Sequence, residues 1–345
     1  MVSPSASKYS AERAAAVTSV ALASALARRL QHALSGSKAV AKADASPVTV
    51  ADFAVQAVIV SHLHSRFPND RFIAEESTPA LRKDPALLRA VCDAADMDES
   101  HLLKIIDLCD HEGGDGARTW ILDPIDGTKG FIAMRQYCIA LGLIDGGVAR
   151  VGVLGCPNLP LTGMEAPDTG SDIGCIFHAE QGEGTWMLAE GDVDTSTKST
   201  TATVGGKRCV VSKVAEPSWT EFCESVERGH SSHELSARVA EILKVTAPPV
   251  RMDSQAKYGC MARGDVSIFL RFPRDGYVEN VWDSAPAAII VEEAGGRVTD
   301  GRGRPLNFNL GRKLDNDDGI VATNGYMHDA IIAAVQMAVK EQVHV

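Results

Sequence analysis

Trp120-Ile121-Leu122-Asp123-Pro124-Ile125-Asp126-Gly127-Thr128 decides how this chain is read. The apolar run Trp120–Leu122 reads as a strand that ends at Asp123. Two carboxylates then stand three residues apart with a proline stiffening the backbone between them. Gly127 adds a flexible backbone and Thr128 a hydroxyl. Carboxylates fixed at a strand end suit hard, oxygen-seeking cations such as Mg²⁺, and N–H groups after a glycine suit an anion, phosphate most commonly. Metal and phosphate in one turn point to phosphoryl chemistry. A plain Asx turn is the bland alternative, and it does not account for so many required residue types at once.

The composition bounds the rest. At 345 residues the chain is long for one hydrophobic core, and a two-domain division is expected: an α+β metal-binding catalytic domain over 1–213 and an α/β substrate-binding domain over 214–345. Hydrophobic and charged fractions of 45% and 23% describe an ordinary soluble protein. The net charge of -11 argues against a non-specific grip on nucleic acid or an anionic membrane. A polyanionic small molecule would need local cations. No apolar run approaches a membrane span. Ala11–Leu34, interrupted by Glu12, Arg13, Arg28 and Arg29, reads as an amphipathic surface helix. Its Arg and Ser content also fits a transit peptide, without a cleavage-like break. The eight cysteines form no Cys-x-x-Cys and no regular spacing, against a zinc ribbon or a disulfide framework. A reducing compartment follows, the cytoplasm before chloroplast or mitochondrion, and a monomer is the expected assembly.

Along the chain, a helix is expected from Val48 to about Phe67, stopped by Pro68-Asn69-Asp70, with Asp52 near its first turn. Phe72-Ile73-Ala74 reads as a strand that delivers Glu75 and Glu76. Ser77–Gly116 reads as helical, then loopy. Cys138–Ile144 and Val148–Leu154, separated by Asp145-Gly146-Gly147, predict a hairpin. Leu161–Gly174 reads as a variable loop, and Asp192–Gly206 as a polar loop near the domain boundary. Beyond it, strands at Phe222–Val226, Val266–Leu270 and Gly319–Ala322 alternate with helices at Glu234–Leu243, Ala285–Ala294 and Asp329–Lys340. The pattern predicts an α+β first half with an antiparallel sheet and an α/β second half with a mostly parallel one.

Acidic residues end or begin these elements at Asp52, Glu75, Asp123, Asp126 and Asp283. Taken singly, Asp52 and Asp283 read as helix N-caps, and Glu75-Glu76 as a solvated turn. Pro286 suits the first turn of the helix after Asp283. There is no P-loop and no Gly-x-Ser-x-Gly nucleophile elbow. His62 and His64 face opposite sides of a helix and make no ligand pair. His230-Ser231-Ser232-His233 alone is an ordinary polar loop.

Together, Asp123–Thr128, Ala74-Glu75-Glu76 and Trp282-Asp283 resemble the lithium-sensitive, metal-dependent phosphatase superfamily that contains the inositol monophosphatases. Gly127-Thr128-Lys129-Gly130-Phe131 is similar to its 3′(2′),5′-bisphosphate nucleotidase branch, plant-type members above all. So are Ser46–Asp52, Gly155-Cys156-Pro157-Asn158-Leu159, Asp253-Ser254-Gln255-Ala256-Lys257-Tyr258, Gly229–His233 and Leu270-Arg271. The resemblance runs from about Ala11 to the C-terminal helix. It implies a layered αβαβα sandwich. It also implies two or three Mg²⁺ ions held by Glu75, Asp123, Asp126, Asp283 and the carbonyl of Ile125.

By the same resemblance Thr128 and Asp52 would pair to take a proton from the attacking water, and the N–H groups of Gly127 and Thr128 would cradle the scissile phosphate. His233, Ser254, Lys257, Arg271 and Asp283 would contact the nucleotide. The implied reaction is hydrolysis of the 3′-phosphate of 3′-phosphoadenosine 5′-phosphate, and also of its phosphosulfate, inhibited by lithium, in clearance of a sulfation by-product. An inositol polyphosphate 1-phosphatase acting on inositol 1,4-bisphosphate is the nearest rival, and a non-catalytic nucleotide sensor the one from another class. The chain departs from the family pattern at Asn280 and Ser284, where related sequences often carry lysine and histidine.

Overall fold

The computed structural model describes residues 7–36, 47–164, 172–196, 204–226, 233–272, 277–315 and 318–343. Two helices open it, α1 (Ser10–Gly36) and α2 (Pro47–His64), followed by strand β1 (Arg71–Ala74) and helices α3 (Thr78–Lys83), α4 (Pro85–Ala95) and α5 (Glu99–Asp107). Then come β2 (Thr119–Asp126), the short α6 (Thr128–Ile132), β3 (Cys138–Asp145), β4 (Val148–Pro160), β5 (Ile173–Glu180), β6 (Gly184–Ala189) and β7 (Lys207–Arg208). The second half comprises β8 (Phe222–Glu224), α7 (His233–Ile242), β9 (Val250–Arg251), α8 (Ala256–Arg263), β10 (Ile268–Arg271), α9 (Ala285–Glu293), β11 (Arg297–Asp300), β12 (Ile320–Thr323) and α10 (His328–Val343).

The first sheet has seven strands in sequence order, β1 to β7. Its β1–β2 pair is parallel and the rest antiparallel. The hairpin expected at Asp145-Gly146-Gly147 forms, with both glycines at positive φ as a two-residue turn requires. The second sheet, in the order β11-β12-β10-β8-β9, is mixed. The expected parallel pairing holds for β8–β9 and β8–β10, and stops at β12, which runs antiparallel to both of its neighbours.

Five layers result. The outer helices α1 and α2 cover one face of the first sheet, burying Val20, Ala23, Phe53 and Ile59 against Ile139, Leu141 and Val153. Helices α8 and α9 form the middle layer, with Cys260, Met261, Ile290 and Val291 between Phe177 of the first sheet and Phe269 and Ala322 of the second. Helices α7 and α10 close the far side around Val239, Ile331 and Val335. Each fully buried Ile or Val in these layers is worth about 1.5–3 kcal/mol. Gly152 on β4 lets α9 approach closely, since a Cβ there would stand 2.4 Å from the carbonyl oxygen of Pro286.

Two sequence expectations about single elements need correction. Helix α1 is not a surface helix: Ala14–Val17, Val20, Ala21, Ala23, Leu26 and Ala27 are all buried. Charges that read as a solvent face are paired, Glu12 with Arg118 at 2.6 Å, Arg13 with Glu180 at 3.5 Å and Arg28 with Glu190 at 2.5 Å. Strand β2 does not end at Asp123 but runs to Asp126 through a bulge, Asp123 pairing with Ala140 and Asp126 with Cys138. Helix α8 and strands β5, β6, β7, β9 and β11 were not anticipated. Ser46, His230-Ser231-Ser232, most of the Thr/Ser-rich 195–203 stretch and residues 165–171 of the expected loop lie outside the described residues. No helix among the described residues is long and apolar enough to cross a membrane.

Candidate active site

Register brings the first carboxylates together. In the parallel β1–β2 pair Ala74 faces Leu122, so the next residues, Glu75 past the end of β1 and Asp123 still within β2, stand side by side. The bulge then turns Asp126 toward the same space. Helix α2 runs behind this edge. Its Gln56 clamps the Glu76 backbone through both side-chain atoms, donating to the carbonyl oxygen at 2.8 Å and accepting from the N–H at 3.0 Å. Asp52 lies one turn earlier on the same face. It is therefore inside the helix, not its cap. Burial, then the charges of Glu76 and Glu75, push its carboxyl well above the usual range.

Glu75, Asp123 and Asp126 behave alike. Glu75 is pushed up to about 7 by burial and by Glu76, Asp283 and Asp126. Burial and the neighbouring Glu75, Asp126 and Asp283 raise Asp123. Asp126 is raised by burial, against the pull of Lys257, and its Oδ2 accepts the Gln255 N–H at 2.5 Å. Asp283 ends a single 3₁₀ turn (Val281–Asp283) and accepts the Asn280 N–H at 3.0 Å. Ser284, not Asp283, stands at the N-cap position of α9, without a side-chain capping bond. Gln255 ties the two acids together, since its side chain also donates to the carbonyl of Trp282 at 3.0 Å.

Opposite the acids stand two cations. Lys257, buried on α8, donates to the carbonyls of Met252 at 3.1 Å and Ser254 at 2.8 Å, and burial pulls its ammonium pKa down. Arg271 ends β10, ion-paired with the buried Glu279 and 3.9 Å from Asp283. Between the walls, Gly127 adopts φ 88°, and a Cβ there would sit 2.9 Å from that of Ser254. Ser254 itself holds φ 68°, an uncommon conformation for a residue with a side chain. The Thr128 hydroxyl donates to the carbonyl of Ile125 at 3.4 Å.

Glu75, Asp123, Ile125, Asp126, Gly127 and Thr128 line one cavity of about 390 Å³ together with Ser254, Lys257, Arg271 and Asp283. That volume suits a small-molecule ligand. Asp52 lies behind the acidic wall, and its expected hydrogen bond to Thr128 is replaced by the Thr128–Ile125 contact. His233 begins α7 in a second cleft, 4.0 Å from Glu224, with Arg251 alongside. The clefts are neighbours, because Glu224 lines one and Ser225 the other. Sequence reasoning assigned no role to Gln56, Gln255 or Glu279. Gln255 was within reach, lying inside the quoted Asp253–Tyr258 motif.

The residues fit a hard cation. Asp123 Oδ1 is buried with no hydrogen-bond partner among the described residues. An orphaned carboxylate oxygen is costly unless something positive meets it. All the donors are oxygens, the set that Mg²⁺ takes. Among the described residues no three acidic, histidine or cysteine side chains already converge on one point. The fit therefore rests on donor type and on the orphaned oxygen.

A layered α/β sandwich with a carboxylate-lined cavity at its seam defines a class. The family model of the inositol monophosphatase family matches residues 8–340, and the chain belongs to that family. A 3′(2′),5′-bisphosphate nucleotidase of Oryza sativa is 41% identical, the match covering 97% of this chain and 96% of that one. The 3′(2′),5′-bisphosphate nucleotidase 1 of Arabidopsis thaliana is 42% identical over 97% of this chain and 98% of its own. With relatives so named, the chain is a hydrolase. Among solved structures, an inositol monophosphatase from Anabaena superposes with a TM-score of 0.58 at 22% identity, over 94% of this chain and 95% of that one. One from Zymomonas mobilis gives 0.61 at 18%, over 96% and 99%. These likenesses show the fold.

Proposed function

We propose that the chain removes the 3′-phosphate of 3′-phosphoadenosine 5′-phosphate, giving AMP and phosphate, and acts on the corresponding 5′-phosphosulfate as well. The observation that carries this reading is the pairing, across one cavity, of an acidic wall with Lys257 and Arg271. A substrate with one phosphate needs no second cationic wall, whereas a nucleotide bisphosphate has a retained phosphate to hold. The bisphosphate-nucleotidase names of the relatives at about 40% identity support the same substrate class.

In this reading Glu75, Asp123, Asp126, Asp283 and the Ile125 carbonyl hold two or three Mg²⁺ ions. When bound, the ions supply positive charge that offsets the phosphate and lower the pKa of a nearby water. The N–H groups of Gly127 and Thr128 orient the scissile phosphate. As the water oxygen bonds to phosphorus, the bond from phosphorus to the ribose oxygen breaks, and that oxygen leaves with the electron pair and takes a proton from solvent to become the 3′-hydroxyl of AMP. The water's proton passes to Thr128 Oγ1 and from it to Asp52, which requires the hydroxyl to rotate away from Ile125. Arg271 grips the retained phosphate with its planar fork, and Lys257 has one N–H left after its two backbone bonds. Ser254 and Asp283 bound the ribose side, and His233 reaches the base from the adjacent cleft.

The test measures phosphate release from 3′-phosphoadenosine 5′-phosphate, inositol 1,4-bisphosphate and inositol 1-phosphate, in Mg²⁺ with and without Li⁺. The nucleotide is expected to be hydrolysed fastest and lithium to inhibit. Faster release from either inositol phosphate would sink the assignment.

A further inference from the structure

Glu75 and Asp283 reach the cavity from opposite ends of the chain, and one side chain outside the cavity touches the support of both. Arg312 Nη2 donates to the carbonyl of Ala74, the residue before Glu75, at 2.7 Å. Its Nη1 donates to the carbonyls of Cys109 at 3.1 Å and His111 at 3.4 Å. The guanidinium lies 4.9 Å from the ring centre of Trp282, the residue before Asp283. Backbone bonds hold the Arg312 segment against that same turn. The Val281 N–H donates to the Arg312 carbonyl and the Leu314 N–H to that of Glu279, both at 2.9 Å, with Asn280 and Lys313 bridged between them. Ile73, Ile121, Val281, Trp282 and Leu314 share a small core of their own at this joint.

We infer that Arg312 is a positioning residue that fixes Glu75 and Asp283 relative to each other, and through them sets the site's affinity for a divalent cation. The inference rests on the reading of those two carboxylates as ion ligands. Arginine is needed here for its shape. A planar fork donates to several carbonyls at once while its face stacks on an indole, and a lysine ammonium cannot do both. Groups that orient ligands from outside the first coordination layer typically govern metal affinity by about 10- to 100-fold.

Calorimetric titration of the full chain with Mg²⁺, beside thermal melting without metal, tests this. Arg312→Gln is expected to weaken Mg²⁺ binding by about 10- to 100-fold. Arg312→Lys should restore only part of it, and neither should move the nucleotide KM at saturating Mg²⁺. Arg238→Gln, on α7 and paired with Glu341 away from this joint, should bind like wild type. If Arg312→Gln proves unfolded, the charge-keeping Arg312→Lys gives the same comparison. Variants that melt lower yet bind Mg²⁺ as tightly as wild type would reduce Arg312 to a structural staple and overturn the inference. A wild type that binds no Mg²⁺ would remove the ligand reading first, and the inference with it.

Discussion

The acidic wall of the cavity is backbone-built. It comes from one parallel strand pair, one bulge and one helix buried nearly all round, and Glu75, Asp123 and Asp126 stand where register puts them. The cationic wall is built from side chains. Lys257 is fixed by carbonyls within five residues of it, and Arg271 by Glu279 and Asp283. A backbone-built wall tolerates almost no change of conformation but confines chemistry to one place. A wall of side chains can be retuned by single substitutions. In the proposed reading the chemistry falls on the first wall and the choice of substrate on the second.

The largest expected effect attacks the first wall. Asp126→Asn should lower kcat by about 10³-fold, the upper end for losing one charge-stabilising group, with the melting temperature nearly unchanged. Retained activity with unaltered Mg²⁺ dependence would break the ligand assignment. On the second wall, Lys257→Met should raise the nucleotide KM by about 10- to 100-fold, the worth of a charged hydrogen bond. Mg²⁺ affinity should stay put, and a parallel loss of both would erase the distinction between the walls. Gly127→Ala probes the seam itself. Its positive φ and the 2.9 Å approach to Ser254 predict a loss of about 1–3 kcal/mol in denaturant unfolding.

The smallest effect concerns protons. His62, His178 and His328 are each held down from 6.5 to about 4, chiefly by burial. The unfolded chain takes up these protons first, so their contribution is full above about pH 6.5 and drains as pH falls toward 4. The acidic wall, with its carboxyls raised, works in the opposite direction. A difference measurement separates them: the stability gap between wild type and His328→Gln should narrow as pH drops from 7 to 4.5. A constant gap would mean that His328 carries no such linkage.

How far the sequence could be read follows the same division. The hexapeptide and the hairpin were legible because local chemistry dictates them: a Pro-stiffened acid pair, and two glycines that a tight turn demands. Helix α8 was not, because Ala256 through Ala262 are all buried and leave no polar face to give a period. Helix α1 misled for the converse reason. Arg13 and Arg28 imitate a solvent face, while their partners Glu180 and Glu190 lie far along the chain. Lys257 and Arg271 were assigned to the site only through family resemblance; taken alone Arg271 reads as a strand-edge salt bridge, and its ion pair with Glu279 is one. His233, assigned to the nucleotide by the same route, lines the neighbouring cleft beside Glu224.

The middle layer has a consequence for how the molecule comes apart. Helix α9 presents Ala287, Ile290 and Val291 to a core that draws on both sheets at once. Neither sheet keeps a complete apolar interior if that helix leaves. We therefore expect the two halves expected from the sequence to melt in one calorimetric transition, and a chain severed between them to lose its fold rather than yield two working pieces.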